Sequence, residues 1–471
     1  MLLSKNKLFS IMVQVYFLCV AMILLLLTHE DDVNLVASLK YLVLLQFIIS
    51  YCTNYYINKW VYNIYGIFVT LFFIFIVSRV FLDFVHYSDF GKTSFFSSYT
   101  FTLEVQSTML LVIFVSLVSL NFGFLLNTRR SSEFLHYDAD KSAYQPLLFY
   151  GKLFVFIGVL PTILKSLLVI YAVMKHGYIA TFLNPELFSV PVLVSLGAMF
   201  FPIGFLFCHL GQLQNRRYVM FINILFFASV LMELAAGKRG PILTQLLVLM
   251  WFFSFKYGNV ISLKKMSIIA LIMIVASQAA LTLRSSRQIE LVDLFGLFFY
   301  QQGVSVQLIG YAERYEIDDK YQFTPFDIFR PVTQNLDRFY YKITGKSYTL
   351  SPEERMEKYN NYSMRIANEV DSTKFSSGFG LGGSYLVEIK VIFGWVGLVL
   401  FNLVLGYFLA RVEFFCTRHF YFFCVSFFIL PDLIYLPRSY VLEFANTQMR
   451  PIILFFLCMA LIKVTKKRRG E

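Results

Sequence analysis

Apolar runs of about 20 residues recur from one end of this chain to the other, and each is long enough for a helix to cross a ~30 Å hydrocarbon core. Of the 471 residues, 58% are hydrophobic and 15% are charged, whereas about a quarter of the residues of a soluble domain are charged. The chain is therefore predicted to be an all-α, polytopic integral membrane protein. A β-barrel would show alternating segments of about ten residues instead.

We predict about twelve transmembrane helices in this chain. Their approximate limits are 8–28, 33–53, 60–82, 105–127, 147–174, 189–213, 218–236, 241–257, 264–283, 381–410, 420–436 and 448–464. The first run is longer than a signal-peptide core and has no clear cleavage site, so we expect it to be retained. The predicted organisation is an N-terminal bundle of about nine spans at 1–283, a long loop at 284–380, and C-terminal spans with a basic tail at 381–471.

Lysine and arginine define the orientation of these spans, because both concentrate in short cytoplasmic loops. Every connection that follows an even-numbered span is basic, as is the C-terminal tail. These positions are Lys59, Arg129, Arg130, Arg216, Arg217, Lys264, Lys265, Arg418 and 466–469. Both termini are therefore predicted to be cytoplasmic, and the 284–380 loop is predicted to lie outside. The net charge of +12 reflects these loops, so we expect no nucleic-acid partner.

Several arginines are nevertheless predicted to lie on the outer side, where cations are usually scarce. Arg239 and its neighbour Lys238 occupy a "GKRG" turn, in which glycines allow close backbone approach. The other positions are Arg284, Arg287, Arg314 and Arg438. A guanidinium presents a planar fork that binds phosphate through two hydrogen bonds. These arginines are candidate ligands of a lipid phosphate or pyrophosphate, although basic side chains near span ends also commonly extend to the headgroups.

Carboxylates that could act as a base on this side are Glu290, Asp293, Glu313 and Glu443. Glu290 is three residues after Arg287, which also fits a structural ion pair. Glu388 and Lys390 lie inside the tenth predicted span, where charge is costly and usually faces other protein groups. No cluster of metal-ligating residues and no Gly-Lys-Ser phosphate loop is present in the sequence. The sequence therefore predicts no metal and no cofactor.

The long loop contains local helix signals rather than low-complexity sequence. "SPEERMEKY" predicts a helix with Ser351 as its N-cap and Pro352 in its first position. The apolar segment from Leu291 to Tyr315 fits an amphipathic or re-entrant helix. Loops this long are usually functional, so we expect a small cap over the membrane. Its aromatic side chains, Tyr311 and Tyr315 among them, are candidates for stacking on sugars.

The chain resembles the Wzy-type O-antigen polymerases in four stretches. "AAGKRGPILTQLLVL" is similar to the family's Gly-x-Arg-Gly turn, and "LTLRSSRQ" resembles the arginine that opens its large loop. "FGLGGSYLVEIKVIFGWVGLVLFNLVLGY" resembles the glycine-rich entry to a late span with an embedded glutamate. "PRSYVLEF" resembles the arginine before the last span.

This resemblance implies a GT-C-like membrane glycosyltransferase that needs no nucleotide sugar. Its donor and acceptor would be oligosaccharides linked to undecaprenyl pyrophosphate, joined on the periplasmic face of the bacterial inner membrane. For this reaction we predict that Arg239, Arg284 and Arg438 are catalytic, with Glu290 as a candidate base. We predict that Lys238, Arg287, Arg314, Tyr311 and Tyr315 bind substrate. Membrane lipids and a chain-length regulator are further candidate partners.

Two alternatives to a polymerase stay open on the sequence. An O-antigen ligase shares the general plan, but such ligases typically carry a functional histidine in the large loop, and no histidine occurs between Arg284 and Gly380. A polysaccharide flippase or other transporter would also suit many spans. Transporters usually have short loops and place their charges deep in the spans, whereas the longest polar segment here is one loop.

Overall fold

The structure is a computed structural model of the full chain. It describes residues 5–27, 32–58, 63–93, 96, 98–127, 144–177, 180, 190–211, 215–237, 240–258, 268, 271, 275, 294–344 and 350–468.

Helices account for nearly all the regular structure of these residues. In chain order they are α1 (Lys5–Leu27), α2 (Val33–Asn58), α3 (Ile64–Phe84), α4 (Leu103–Leu126), α5 (Tyr144–His176), α6 (Val192–Leu210), α7 (Arg216–Ala235), α8 (Gly240–Tyr257), α9 (Leu294–Gln302), α10 (Ser305–Arg314), α11 (Ile317–Lys320), α12 (Arg330–Ile343), α13 (Pro352–Tyr359), α14 (Tyr362–Val370), α15 (Ser372–Ser376), α16 (Tyr385–Leu409), α17 (Val412–Arg418), α18 (Phe420–Ile434), α19 (Glu443–Thr447) and α20 (Met449–Arg468). Short 3₁₀ turns cover Pro325–Phe329 and Leu436–Arg438. Two short antiparallel strands, β1 (Lys92–Thr93) and β2 (Tyr99–Thr100), pair between α3 and α4.

The chain divides into two compact units. The first comprises Met1–His136, Leu249–Phe415 and Asp432–Glu443, and the second comprises Tyr137–Val248, Cys416–Pro431 and Phe444–Glu471.

Helix α4 is the centre of the first unit. It is apolar on all its faces and almost entirely buried, as expected for a helix surrounded by other helices. Helices α1, α2, α10 and α16 all pack against it. Among its polar side chains, Asn121 accepts a hydrogen bond from the Tyr65 hydroxyl at 3.1 Å.

Two glycines bring α4 and α16 into backbone contact. A Cβ atom on Gly406 would lie 1.9 Å from the carbonyl oxygen of Leu120, and one on Gly123 would lie 2.0 Å from that of Leu403. Small residues at helix crossings allow this approach in membrane proteins, where dispersion rather than hydrophobicity drives helix association. The two glycines therefore allow the C-terminal half of α16 to pack closely against α4.

Two helices of the first unit depart from regular α-geometry. Helix α3 contains a π-helical turn at Phe73–Val77, and such turns are frequent at functional sites. Helix α16 is interrupted at Gly394, whose φ of 65° and ψ of −164° lie outside the helical region. Glu388 and Lys390 lie on the N-terminal side of this interruption.

The second unit is built on α5 and α6. The Thr162 hydroxyl donates to the carbonyl oxygens of Gly158 at 2.8 Å and Ala198 at 3.3 Å, which ties the two helices together. His209 of α6 lies 2.9 Å from the side-chain oxygen of Asn223 in α7. The Phe205, Phe226 and Phe427 rings also pack together in this unit.

Seven of the described helices are long and apolar enough to cross a membrane: α1, α2, α3, α4, most of α5, α6 and α16. The chain is thus an all-α, multi-pass membrane protein, as predicted. Helices α7, α8, α18 and α20 coincide with four other predicted spans, but the predicted total of twelve stays a prediction. Most of the predicted ninth span lies outside the described residues.

The segment from 294 to 380 forms short helices, as its local signals indicate. Ser351 accepts a hydrogen bond from the Glu354 amide, and the Glu354 carboxylate accepts one from the Ser351 amide, so the predicted N-cap of α13 is confirmed. The predicted amphipathic segment is divided at 303–304 into α9 and α10, and α10 is largely buried against α4 rather than lying free at an interface.

Replacing Gly406 by Val is expected to destabilise the first unit, because the new side chain must displace the α4 backbone. Overpacking of this kind costs about 1–3 kcal/mol. Thermal unfolding of the purified protein in detergent measures the loss. Gly380→Ala is the control, since no atom lies within 4 Å of its added Cβ, and an equal loss in both variants would contradict the close packing.

Candidate functional site

Five of the residues predicted to act at the site, Lys238, Arg239, Arg284, Arg287 and Glu290, lie outside the described residues. The helices that border the "GKRG" motif are described. Helix α7 ends at Ala235, Gly237 has a left-handed φ of 91°, and α8 begins at Gly240.

Arg438, the predicted arginine before the last span, ends the 3₁₀ turn Leu436–Arg438. Its Nη1 donates to both the backbone oxygen and the side-chain oxygen of Gln302, each at 2.9 Å. Its guanidinium carbon lies 5.7 Å from the centre of the Phe75 ring. Arg438 is thus held between the C-terminal end of α9 and the π-helical turn of α3.

A second arginine, which was not predicted from the sequence, contacts the residues at the C-terminal end of α9. Arg79 of α3 is 1% exposed, and its guanidinium lies 3.8 Å from the centre of the Tyr300 ring. Its Nη2 donates to the Lys92 carbonyl at 2.8 Å. Gly303 leaves the space that the Arg79 stem occupies, because a Cβ there would lie 2.6 Å from the arginine Cγ.

A buried ion pair joins α12 to α16. Arg330, the first residue of α12, donates from Nη2 to Glu388 Oε1 of α16 at 2.8 Å, and the two side chains are 2% and 0% exposed. The other carboxylate oxygen, Oε2, accepts from the Val441 amide at 2.7 Å. The stretches "YLVEIK" and "PRSYVLEF" therefore meet directly through Glu388.

Two tyrosines enclose this ion pair. The Arg330 guanidinium lies 4.6 Å from the Tyr440 ring and 5.4 Å from the Tyr362 ring. The Tyr362 hydroxyl donates to the Ser384 carbonyl and accepts from its amide, each at 2.9 Å. Burial raises the pKa of Tyr362 and of Tyr440, so both phenols stay neutral around the ion pair.

The other charge in the tenth predicted span also pairs with the long segment. Lys390 lies 2.6 Å from the carboxylate of Glu313 and 5.5 Å from the Trp395 ring. Glu313, a sequence candidate for the base, is thus held by a cation. Glu388 and Lys390 both satisfy partners there, as the cost of membrane charge predicts.

The remaining described candidates belong to α10 and the residue after it. Tyr311 is buried, and its hydroxyl lies 2.8 Å from that of Thr93. Arg314 is exposed and lies over the Tyr99 ring at 3.7 Å. Tyr315 is half-buried, 5.5 Å from the Arg314 guanidinium. Their assignment to sugar binding stays a prediction.

The sequence carried a signal for one of the arginines that it did not identify. Arg79 interrupts an apolar run, the same pattern that singled out Glu388 and Lys390. Arg330 carries no such signal, because it precedes a polar amphipathic helix and resembles a surface residue in sequence. Its burial follows from the pairing with Glu388.

The turn formed by Tyr300, Gln301, Gln302 and Gly303 thus contacts two arginines, hereafter the arginine turn. One guanidinium is stacked and buried, and the other donates hydrogen bonds from Nη1 to Gln301 and Gln302. Guanidinium groups oriented in this way can hold an oxyanion with little reorganisation.

One comparison with known proteins identifies a family. A family model described as O-antigen polysaccharide polymerase Wzy matches residues 9–469, which is nearly the whole chain. Neither the curated proteins nor the solved structures contain a match to this chain.

Glu388→Ala is expected to destabilise the protein by about 3–5 kcal/mol, because it leaves the Arg330 guanidinium buried without its carboxylate. Thermal unfolding in detergent measures this. The double variant Arg330→Met/Glu388→Leu should recover much of the loss, since no uncompensated charge remains buried.

The matched control is Lys320→Ala, which breaks an ion pair whose lysine is 51% exposed. An exposed pair of this kind contributes about 0–1 kcal/mol. A Glu388→Ala variant no less stable than this control would contradict the role given to the buried pair.

Proposed function

Because the chain belongs to the O-antigen polysaccharide polymerase Wzy family, we propose that it joins lipid-linked oligosaccharide repeat units by moving the growing chain onto each new unit. The lipid carrier is undecaprenyl pyrophosphate. The reaction takes place on the periplasmic face of the inner membrane, with both termini in the cytoplasm, as the distribution of basic loops favours.

The proposed reaction is a glycosyl transfer. A hydroxyl oxygen of the acceptor unit attacks C1 of the sugar at the reducing end of the growing chain and forms the new glycosidic bond. The bond between C1 and the pyrophosphate oxygen breaks, and its electron pair stays on undecaprenyl pyrophosphate. The hydroxyl proton passes to a carboxylate, for which Glu290 is the candidate from sequence.

Arginines stabilise the leaving group in this proposal. Negative charge grows on the pyrophosphate as the bond to C1 breaks, so donors fixed in place before the reaction lower its barrier. Arg239, Arg284 and Arg438 are the proposed ligands, with Lys238, Arg287 and Arg314 in supporting positions. Holding both lipid-linked substrates at one interface contributes through proximity.

The observation that carries this proposal is the placement of Arg438. The residue precedes the last long helix, yet it bonds to Gln302 at the end of α9, more than a hundred residues earlier in the chain. That contact joins Arg438 of the "PRSYVLEF" stretch, predicted to lie on the outer side, to the long segment in which the substrate-binding residues are expected.

Deletion of the gene, followed by electrophoresis of surface lipopolysaccharide, tests the function. Loss of a polymerase leaves lipid A core bearing a single repeat unit. Loss of a ligase or a flippase leaves bare core, and that pattern would overturn the proposal.

Arg239→Ala and Arg438→Ala are expected to give the single-unit pattern at a normal protein level. Removing one transition-state donor costs roughly 3–4 kcal/mol, or about a hundred- to a thousandfold in rate. Lysine at either position should restore little activity, because it lacks the planar fork.

Arg217→Ala is the matched control for this pair. Arg217 is an exposed arginine in a connection predicted to be cytoplasmic, so its loss should leave the full ladder. A full ladder in Arg239→Ala or in Arg438→Ala would remove that residue from the site.

A further inference from the structure

Arg79 is a buried cation whose guanidinium is only partly used by the protein. It lies five residues before the C-terminal end of α3, about 8 Å along the helix axis. Nη2 donates to the Lys92 carbonyl. Nε and Nη1, which carry three of the five guanidinium N–H groups, have no hydrogen-bond partner within the described part of the chain.

Burial of this kind is costly unless an anion compensates it. Among the described residues no carboxylate forms an ion pair with Arg79. The penalty for a desolvated, uncompensated charge is several kcal/mol. Arg330 shows the contrasting arrangement, since its equally buried guanidinium is neutralised by Glu388. Arg79 therefore has both charge and donors available for a ligand.

The packing of Arg79 determines the orientation in which its guanidinium would contact a ligand. One face of the guanidinium is stacked on Tyr300 at 3.8 Å, and the stem passes over Gly303. The plane of the guanidinium is thus set by the protein, and little rotamer entropy is left to lose on binding.

Arg438 supplies the second observation. It lies over Phe75, which is four residues before Arg79 in α3. Both arginines also contact the arginine turn, Arg79 at Tyr300 and Gly303 and Arg438 at Gln302. Two cations that contact one turn are complementary to an anion with more than one negative charge.

The local backbone is consistent with a binding role. The π-helical turn at Phe73–Val77 ends two residues before Arg79. Such turns frequently occur at functional sites.

We propose that Arg79 and Arg438 together bind the diphosphate of a lipid-linked substrate at the arginine turn. Arg79 would contact it through Nε and Nη1, and Arg438 would act from the other side of the turn. This inference rests on the proposed function for the identity of the ligand. It adds an arginine from α3, a candidate transmembrane helix, to a set predicted from segments outside the spans.

Calorimetric titration of the purified full-length protein with farnesyl diphosphate in detergent micelles tests the site. The wild type should bind saturably. Arg79→Gln should weaken the affinity by about 10- to 100-fold, as expected for the loss of charge-assisted hydrogen bonds. Size-exclusion chromatography and near-ultraviolet circular dichroism verify the fold of each variant.

Arg411→Gln is the matched control. Arg411 is half-buried and, like Arg79, lies over an aromatic ring, Tyr407 at 5.2 Å, but at the opposite end of α16 from Glu388. Its replacement should leave farnesyl diphosphate binding unchanged. Unchanged binding by folded Arg79→Gln, or no binding by the wild type, would overturn the inference.

Arg79→Lys covers the case in which the glutamine variant does not fold. It keeps the positive charge and loses the planar guanidinium, so the affinity for farnesyl diphosphate should fall several-fold. Wild-type affinity in this variant would contradict the proposed hydrogen bonding.

Competition experiments distinguish the sources of the phosphate group. Inorganic pyrophosphate should displace the probe, whereas equal displacement by phosphatidylglycerol would indicate a lipid-headgroup site and overturn the assignment.

Complementation of the deletion strain separates the two proposals. If wild-type protein restores the ladder and Arg79→Gln both restores it and binds the probe, the site fails and the polymerase function stands. If the wild type restores no ladder but binds the probe in an Arg79-dependent manner, the function fails and the anion site stands.

Discussion

The ion pair between Arg330 and Glu388 is the interaction on which the packing of α12, α16 and the segment around Val441 depends. Both side chains are buried, so neither can leave the other without a large desolvation cost. The same carboxylate also accepts from the Val441 amide. One glutamate in a membrane helix therefore fixes the start of α12 and the segment that follows Arg438, and in this way it positions Arg438 at the arginine turn.

The charged side chains of the first unit differ in the kind of partner that they contact. Glu388 and Lys390 are two residues apart on α16, and each binds a group of opposite sign from the long segment. Those pairs are closed and structural. Arg79 and Arg438 are bonded mainly to neutral oxygen atoms and lie over aromatic rings, and in our proposal their charge serves the substrate. Unlike Arg330 and Lys390, these two arginines have no carboxylate partner among the described residues.

Much of this fold is predictable from local sequence. Apolar length identified the membrane helices, and the Ser351 and Pro352 pattern identified the start of α13, because both signals depend only on nearby residues. The partner of Glu388 was not predictable, since Arg330 is 58 residues away and lies in a stretch with an ordinary surface pattern. Arg438 was selected for its place outside a span, but its contact with Gln302 depends on tertiary packing alone. The role of Arg239 remains a sequence prediction.

The π-helical turn in α3 has a geometric consequence for Arg79. A wide turn accommodates one extra residue, and in a helix each residue corresponds to a rotation of about 100°. Everything after Phe73–Val77 is therefore offset around the helix axis relative to what precedes it. Removing one residue from this stretch would restore a regular α-helix and rotate Arg79 away from the Tyr300 ring. The apolar character of the span would hardly change. The direction in which this charge points is thus encoded by residue count rather than by residue type.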